Sequence, residues 1–301
     1  MKIALTGSTG FVGRNLTTYF ENEGHEIVPL KVRYEESDTF DFSGLAVDAI
    51  VHAAGIAHDL KGKFAESEYE IHNTELTARL VASFIKSDIP DFFFISSIKA
   101  VADSSESVIN EATPQHPTTA YGKSKFNAEQ FIRSIRIPEG KRIFILQPTL
   151  MYGKGSKGNF RSMLTFVRWG LPYPLGAFTN RRSFLNVNNL AFVIASLMQR
   201  TDIAGGRFIL SDDEEWSTVQ LLRLIARMGD RHLITLSISP KIVRIFVKFA
   251  DICRLPLNSR WLAKLTENYY VDNSKIKTVL DLEKMPYDME AGLFEIFAEK
   301  G

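Results

Sequence analysis

Lys2-Ile3-Ala4-Leu5-Thr6-Gly7-Ser8-Thr9-Gly10-Phe11-Val12-Gly13 opens the chain with a short apolar run that breaks into glycines spaced three apart. A helical pattern follows, with Leu16, Tyr19 and Phe20 on one side. Gly24-His25 ends it, and Glu26 to Leu30 reads as a second strand. Glycines between a strand and a helix allow a tight turn, close approach of backbone to a pyrophosphate, and close packing of helix on strand. The helix start adds unpaired N–H groups and a positive dipole end. The pattern predicts a dinucleotide cradle built from Gly7, Thr9, Gly10, Phe11, Val12 and Gly13.

The end of the second strand bears on which dinucleotide. An acid about 20 residues past the glycines binds a free ribose 2′-hydroxyl. Here the stretch is Pro29-Leu30-Lys31-Val32-Arg33, with no acid before Glu35. Lys31 and Arg33 suit a 2′-phosphate, so NADP(H) is the preferred cofactor and NAD(H) the alternative.

Strand-like and helix-like segments alternate from residue 2 to about 150, which predicts an α/β fold with a doubly wound parallel sheet. Phe92-Phe93-Phe94-Ile95 and Ile143-Phe144-Ile145-Leu146 lack period-two alternation, as strands covered on both faces should. Glycine and proline thicken after Gly153, marking passage to a smaller substrate-binding lobe. The predicted division is a cofactor domain over 1–153 with a return segment at about 184–200. The lobe takes 154–183 and most of 201–301. Ser217-Thr218-Val219-Gln220 reads as a capping box.

Thr119-Ala120-Tyr121-Gly122-Lys123-Ser124-Lys125 places a tyrosine four residues before a lysine, on one face of a helix. A phenol ionises near pH 10, and a nearby cation favours phenolate. Lowering its pKa by about three units would take roughly 4 kcal/mol. Tyr121 is therefore a candidate acid/base for a sugar or alcohol hydroxyl, with Lys125 expected to favour its phenolate.

Together these residues resemble the extended short-chain dehydrogenase/reductase family, also called the NAD-dependent epimerase/dehydratase family, whose fold is of Rossmann type. Its catalytic pair looks like Tyr121 and Lys125. Its catalytic serine looks like Ser97, with Ser96 as neighbour, in Asp91-Phe92-Phe93-Phe94-Ile95-Ser96-Ser97-Ile98-Lys99. The resemblance places Asp41 and Phe42 beside the adenine, and Ala53, Ala54 and Gly55 along the cofactor. It puts Pro148 near the nicotinamide and Asn73 behind the active site. It also implies a substrate site at Ser97, Asn159, Leu175 and Arg182, with Asn159 and Arg182 on a nucleotide-sugar diphosphate. His52 is expected to be an ordinary buried polar group satisfied by backbone. Val271-Asp272-Asn273-Ser274-Lys275 and Leu280 resemble further family landmarks.

The resemblance implies hydride transfer at C4 of a nucleotide-linked sugar. Dehydratases carry an Asp-Glu pair after the catalytic hydroxyl residue, whereas Ser97 is followed by Ile98-Lys99. Dehydration is thus disfavoured. The expected activity is 4-reduction of a UDP-4-keto-6-deoxy-N-acetylhexosamine for surface polysaccharide. A UDP-sugar 4-epimerase is the alternative, and a non-catalytic NADP-sensing regulator a further one.

The rest of the composition fits this. The chain has 301 residues, 45% hydrophobic and 24% charged, with a formal net charge of +1 that leaves no electrostatic footprint for nucleic acid. Its single cysteine, Cys253, excludes an internal disulfide, and the histidines have no metal-ligand spacing, so no metal is expected. No run is long and apolar enough to span a bilayer, and the first strand begins at Lys2, so the expected location is cytoplasmic. A homodimer is compatible with the sequence. Pro240 to Leu255 interleaves Ile242, Val243, Ile245, Phe246, Phe249 and Ile252 with Lys241, Arg244, Lys248 and Arg254. The expected reading is a lobe helix with its apolar face packed, ahead of one lying on a membrane.

Overall fold

Six strands, β1 (Lys2–Thr6), β2 (Glu26–Leu30), β3 (Ala49–His52), β4 (Asp91–Ile95), β5 (Arg142–Pro148) and, further along, Gly206–Leu210, form one sheet in the computed structural model. The structure describes residues 1–32, 40–57, 64–156, 159–253 and 258–298. Three short strands lie outside this sheet or between its members: β6 (Leu150–Tyr152), β7 (Arg182–Asn186) and β9 (Glu215–Trp216), so Gly206–Leu210 is β8. The large sheet has the order β2-β1-β3-β4-β5-β8, and every pairing in it is parallel. The chain steps from β1 outward to β2, then returns to β3 on the other side of β1. That reversal is the switch point where open α/β sheets bind ligands.

The unbroken apolar runs pack as expected for strands with two covered faces. Phe93, Ile95, Phe144 and Leu146 point into one core, shared with Leu16 and Phe20 of α1 (Phe11–Asn22). Phe92, Phe94, Ile143 and Ile145 point into the opposite core. There they meet α3 (Leu76–Lys86), which continues a helical run from α2 (Glu66–Tyr69) through a π-helical stretch Glu70–Glu75, together with α4 (Ala120–Ser134). Phe93 stacks on Phe144 with ring centroids 4.8 Å apart. Truncating either ring to alanine would cost about 3–5 kcal/mol.

The lobe has its own sheet, β6-β7-β9, and its own core. That core draws on α5 (Asn159–Trp169), α7 (Thr218–Met228), α8 (Pro240–Ile252), α9 (Ser259–Thr266) and α11 (Met289–Ala298). α6 (Val187–Gln199) instead packs on α1, and α10 (Ser274–Val279) lies against the large sheet through Ile276. The capping box at Ser217 is present, with Ser217 Oγ accepting from Gln220 N and the Gln220 side chain accepting from Ser217 N.

The domain division differs from the sequence reading. The return to the large domain extends past residue 200, because β8 supplies the sixth strand and Ile276, Leu280 and Met285 join its core. The short β8, Gly206-Arg207-Phe208-Ile209-Leu210, gives little periodic signal, and its strand identity comes from pairing with β5. Asp212, just beyond β8, joins the two units. Its carboxylate accepts from Tyr152 Oη at 2.7 Å, Asn186 N at 2.9 Å and Asn189 Nδ2 at 2.6 Å.

Beneath the switch point runs a fully satisfied polar chain. Ala54 N donates to Thr6 Oγ1 at 3.1 Å, and Thr6 Oγ1 lies 2.8 Å from His52 Nδ1. His52 Nε2 lies 3.0 Å from Thr77 Oγ1, which donates to Asn73 O at 2.5 Å. Because Thr77 spends its proton on Asn73, His52 Nε2 carries the ring hydrogen and Nδ1 accepts from Thr6. His52 is thus satisfied by two threonine hydroxyls rather than by backbone. Burial, then the Lys125 charge, lowers its pKa to about 3, so it is neutral in the folded protein.

A histidine held neutral makes the unfolded chain bind the extra proton first. This stability is intact above pH 6.5 and is lost as pH falls towards 3, at about 1.4 kcal/mol per pH unit. Urea unfolding at pH 7, 6 and 5 should therefore show wild type losing ground to His52→Asn as pH falls. A stability difference constant over that range would remove His52 as the titrating group.

Candidate active site

The glycine turn joins β1 to α1 at the switch point. Gly7 has φ of +69°, and a Cβ there would lie 2.7 Å from Ala54 N, so only glycine fits against the β3 loop. A Cβ on Gly13 would run into the Gly7 carbonyl. Gly10 caps α1 without a side-chain hydrogen bond, and the first turn holds no acid. The helix start is therefore free of any internal anion, which fits a dinucleotide's pyrophosphate. Arg14, one turn in, donates to Thr9 O at 2.5 Å and adds a cation at this mouth.

Part of the remaining set expected to hold a dinucleotide faces the turn. Thr6 pairs with Leu30 across β1 and β2, so Lys31 stands one residue beyond, abreast of the turn and exposed. Arg33 lies outside the described residues. Ala53, Ala54 and Gly55 form the facing loop, and Pro148 ends β5. Asp41 is exposed, its carboxylate accepting from Ser43 N at 2.9 Å. Phe42 has its ring in the core instead, stacked with Phe40.

Ser97, Tyr121 and Lys125 meet where β4 ends and α4 begins. Ser97 faces the Tyr121 phenol and favours its ionised form, while Ser97 Oγ accepts from Lys99 N at 3.2 Å. Ser96 is committed elsewhere, donating to the buried Glu129 carboxylate. The two adjacent serines thus have separate roles. Glu129 further accepts from Gln115 Nε2 and Gln147 Nε2, each at 2.8 Å, and from Arg133 at 3.0 Å.

One electrostatic expectation is corrected. Tyr121's pKa is raised, not lowered: burial raises it, the Ser97 hydrogen bond lowers it, and Tyr69 raises it. Lys125 turns inward, with Nζ donating to Ile95 O at 2.9 Å and lying 4.8 Å from the Phe94 ring centre. Burial lowers the lysine's pKa to about 8 against the opposing pull of Glu129. The i, i+4 spacing puts the two residues on one face but does not oblige the ammonium to reach the phenol. Asn73 sits in the π-helical stretch, its Oδ1 accepting from Ile56 N at 2.8 Å and its Nδ2 donating to Ser124 Oγ at 3.0 Å. It ties the Gly55 loop to α4 one residue before Lys125.

Three residues at the site carry no motif. Asp103 accepts from the backbone N and Oγ1 of Thr118, at 2.8 and 2.7 Å, and from those of Thr119, at 3.1 and 2.9 Å. Thr119 in turn caps α4 by accepting from Gly122 N at 3.2 Å, so Asp103 fixes where the helix carrying Tyr121 starts. Lys99 Nζ lies over the Tyr269 ring at 4.7 Å and 3.7 Å from Asp103 Oδ1. Tyr269 donates to Ala102 O at 2.8 Å and runs parallel to Arg182 at the start of β7. Arg182 is influenced by Glu267, Tyr269 and Tyr173, and its charge is felt at Lys99. A row of groups therefore leads from Lys99 through Tyr269 to Arg182.

Of the other expected substrate residues, Leu175 is 1% exposed and packed in the lobe core, so it offers a ligand no side-chain surface. Asn159 opens α5, and its side chain lies outside the described residues.

The split between the serines has a measurable consequence. Ser96→Ala removes a donor from a buried carboxylate and should cost about 1–3 kcal/mol of stability. Ser97→Ala should change stability by well under that. Chemical denaturation of both variants checks this, and equal losses would contradict the assignment of separate roles.

Residues 3–209 match the NAD dependent epimerase/dehydratase family. A UDP-glucose 4-epimerase of Vibrio cholerae is 30% identical over 310 residues, covering 96% of this chain and 92% of that protein. A UDP-2-acetamido-2,6-beta-L-arabino-hexul-4-ose reductase of Pseudomonas aeruginosa is 33% identical over 168 residues, 54% of this chain and 39% of that one. Among solved structures, RMD from Pseudomonas aeruginosa complexed with NADPH superposes with a TM-score of 0.77 at 19% identity, covering 99% of each chain. With the glycine cradle, the parallel sheet and the Ser97–Tyr121–Lys125 cluster in place, this chain belongs to the NAD dependent epimerase/dehydratase family.

Proposed function

We propose that this enzyme reduces the C4 carbonyl of a UDP-4-keto-6-deoxy-N-acetylhexosamine, with NADPH as the preferred reductant. The observation that carries the reading is the convergence of Ser97, just past β4, with Tyr121 and Lys125 of α4, where Lys125 Nζ donates to Ile95 O at 2.9 Å and burial favours the neutral phenol. A carbonyl becoming an alcohol needs a proton at its oxygen, and a neutral phenol at that oxygen supplies one. Ser97 hydrogen-bonds the same oxygen and holds it beside Tyr121. A bound nicotinamide cofactor supplies the hydride, chemistry that the protein only orients. Lys125, next to Gly55, holds the cofactor ribose, and Lys31 meets a 2′-phosphate. Arg182 binds the substrate diphosphate, for which its planar fork is suited. Lys99 occupies the place where a dehydratase would need an acid, so the 6-deoxy carbon is left untouched.

A second reading, UDP-sugar 4-epimerase, is favoured by the near full-length likeness to the Vibrio cholerae protein. There hydride leaves and returns to C4, with no net use of cofactor. Incubation with each substrate class, following nicotinamide absorbance and resolving products by NMR, separates the two. The reductase reading expects stoichiometric NADPH oxidation with the 4-keto sugar and little interconversion of UDP-glucose and UDP-galactose. Rapid C4 inversion without cofactor consumption would replace it by the epimerase. In either case Tyr121→Phe should lower kcat by about 10²–10⁴-fold. Lys31→Ala should weaken NADP(H) binding while sparing NAD(H). Equal affinities of the wild type for the two cofactors would overturn the cofactor assignment.

A further inference from the structure

α8 has two apolar arcs, not one. At 3.6 residues per turn, Val243, Val247 and Ala250 share an arc of about 60° and are buried in the lobe. Ile242, Ile245, Phe246, Phe249 and Ile252 fill a second arc of about 120°, and every one is exposed, Ile245 by 70% and Ile252 by 81%. The packed helix expected from the sequence therefore holds only for the smaller residues. Lys241, Arg244 and Lys248 follow on the far edge of the exposed arc, all in solvent. The single acid of α8, Asp251, is engaged with Ser259 at the helix end. The segment entering α8 adds exposed Ile234 and Leu236. Beside it opens a pocket whose charged lining is Arg223, Arg227 and Arg231 with one acid, Asp230, next to His232, and Arg223 is bonded to Thr235 at 3.4 Å.

We propose that this face of the lobe docks on an anionic lipid bilayer, with α8 lying in the interface. Five large apolar side chains in one strip, bordered by three cations, match a helix that sinks its apolar side to the acyl boundary and keeps its charges at the headgroups. The neighbouring arginine pocket presents further positive charge to lipid phosphates. A second copy of the chain is a poorer occupant. An antiparallel two-fold contact through this strip would set Lys241, Arg244 and Lys248 against the same cations of the other copy. No helix among the described residues is long and apolar enough to cross a membrane, so α8 lies on the surface.

The test is co-sedimentation of the full chain with vesicles of phosphatidylcholine alone and with equal parts of phosphatidylglycerol, at low and high salt. Pelleting with the anionic vesicles at low salt, weakened by salt and by omitting phosphatidylglycerol, is expected. Replacing Lys241, Arg244 or Lys248 with glutamine should weaken binding by about fivefold each. Ile245→Ser with Phe249→Ser should abolish it without moving the thermal midpoint, since both side chains are exposed. Absence of pelleting at low salt, or undiminished pelleting of that double variant, would overturn the proposal. So would a wild-type oligomer that the same pair dissociates while no vesicle binding occurs, which would make the strip an interface between copies.

Discussion

A parallel sheet covered on both faces has room for polar chemistry only at its strand ends, and this constraint organises the whole molecule. The interior of β3, β4 and β5 is aliphatic and aromatic, alternating between two cores. At their carboxyl ends the sequence turns polar or small at once: Thr6 to Gly7, His52 to Ala53, Ile95 to Ser96 and Ser97, Pro148 to Thr149, Leu210 to Ser211 and Asp212. Parallel pairing brings those ends to one edge. The cradle, the serine and the joint to the lobe are therefore neighbours although more than 200 residues separate the first from the last.

Most polar groups that lie under this edge are paired, Gln147 Oε1 and Thr149 Oγ1 at the end of β5 being exceptions. Thr6, His52, Thr77 and Asn73 form one proton-ordered chain, and Ser96, Gln115, Gln147 and Arg133 surround Glu129. Such networks are stiff because losing one partner exposes another to an unpaired state. They hold β4 and α4 in a fixed relation, and with them Ser97 and Tyr121. Asp103 does the same from the outer side by gripping Thr118 and Thr119.

The parts legible in the sequence are those whose signal is local. Glycines at 7, 10 and 13 lie within one turn, Tyr121 and Lys125 within another, and the apolar runs of β4 and β5 declare two covered faces. Asp103 was not legible, because it acts on Thr118 and Thr119, and nothing in the spacing singles it out from any surface acid. Tyr269 reaches Ala102 from 167 residues away. Lys99 was visible only as the absence of an acid. For α8, periodicity revealed an amphipathic helix but not which of two adjacent apolar arcs the lobe would cover. That depends on how close α8 can approach its neighbours, and small Val243, Val247 and Ala250 allow the closer approach. The inward turn of Lys125 was equally hidden, since it follows from the Ile95 carbonyl and Glu129 rather than from the distance to Tyr121.

The protonation of Tyr121 connects these features to the direction of chemistry. A reaction that begins by giving a proton to a carbonyl oxygen uses the neutral phenol as it stands. One that begins by removing a proton from a hydroxyl must first ionise it, and each unit by which burial raises its pKa opposes that by about 1.4 kcal/mol. Ser97 works against burial, since its hydrogen bond favours the ionised form, while Tyr69 works with it. Lys125 sits close to Gly55, and its ammonium donates to Ile95 O. Whatever draws that ammonium toward Tyr121 lowers the phenol's pKa and moves the site from proton donor towards proton acceptor. The balance between giving and taking a proton at Tyr121 thus rests on the position of one lysine side chain.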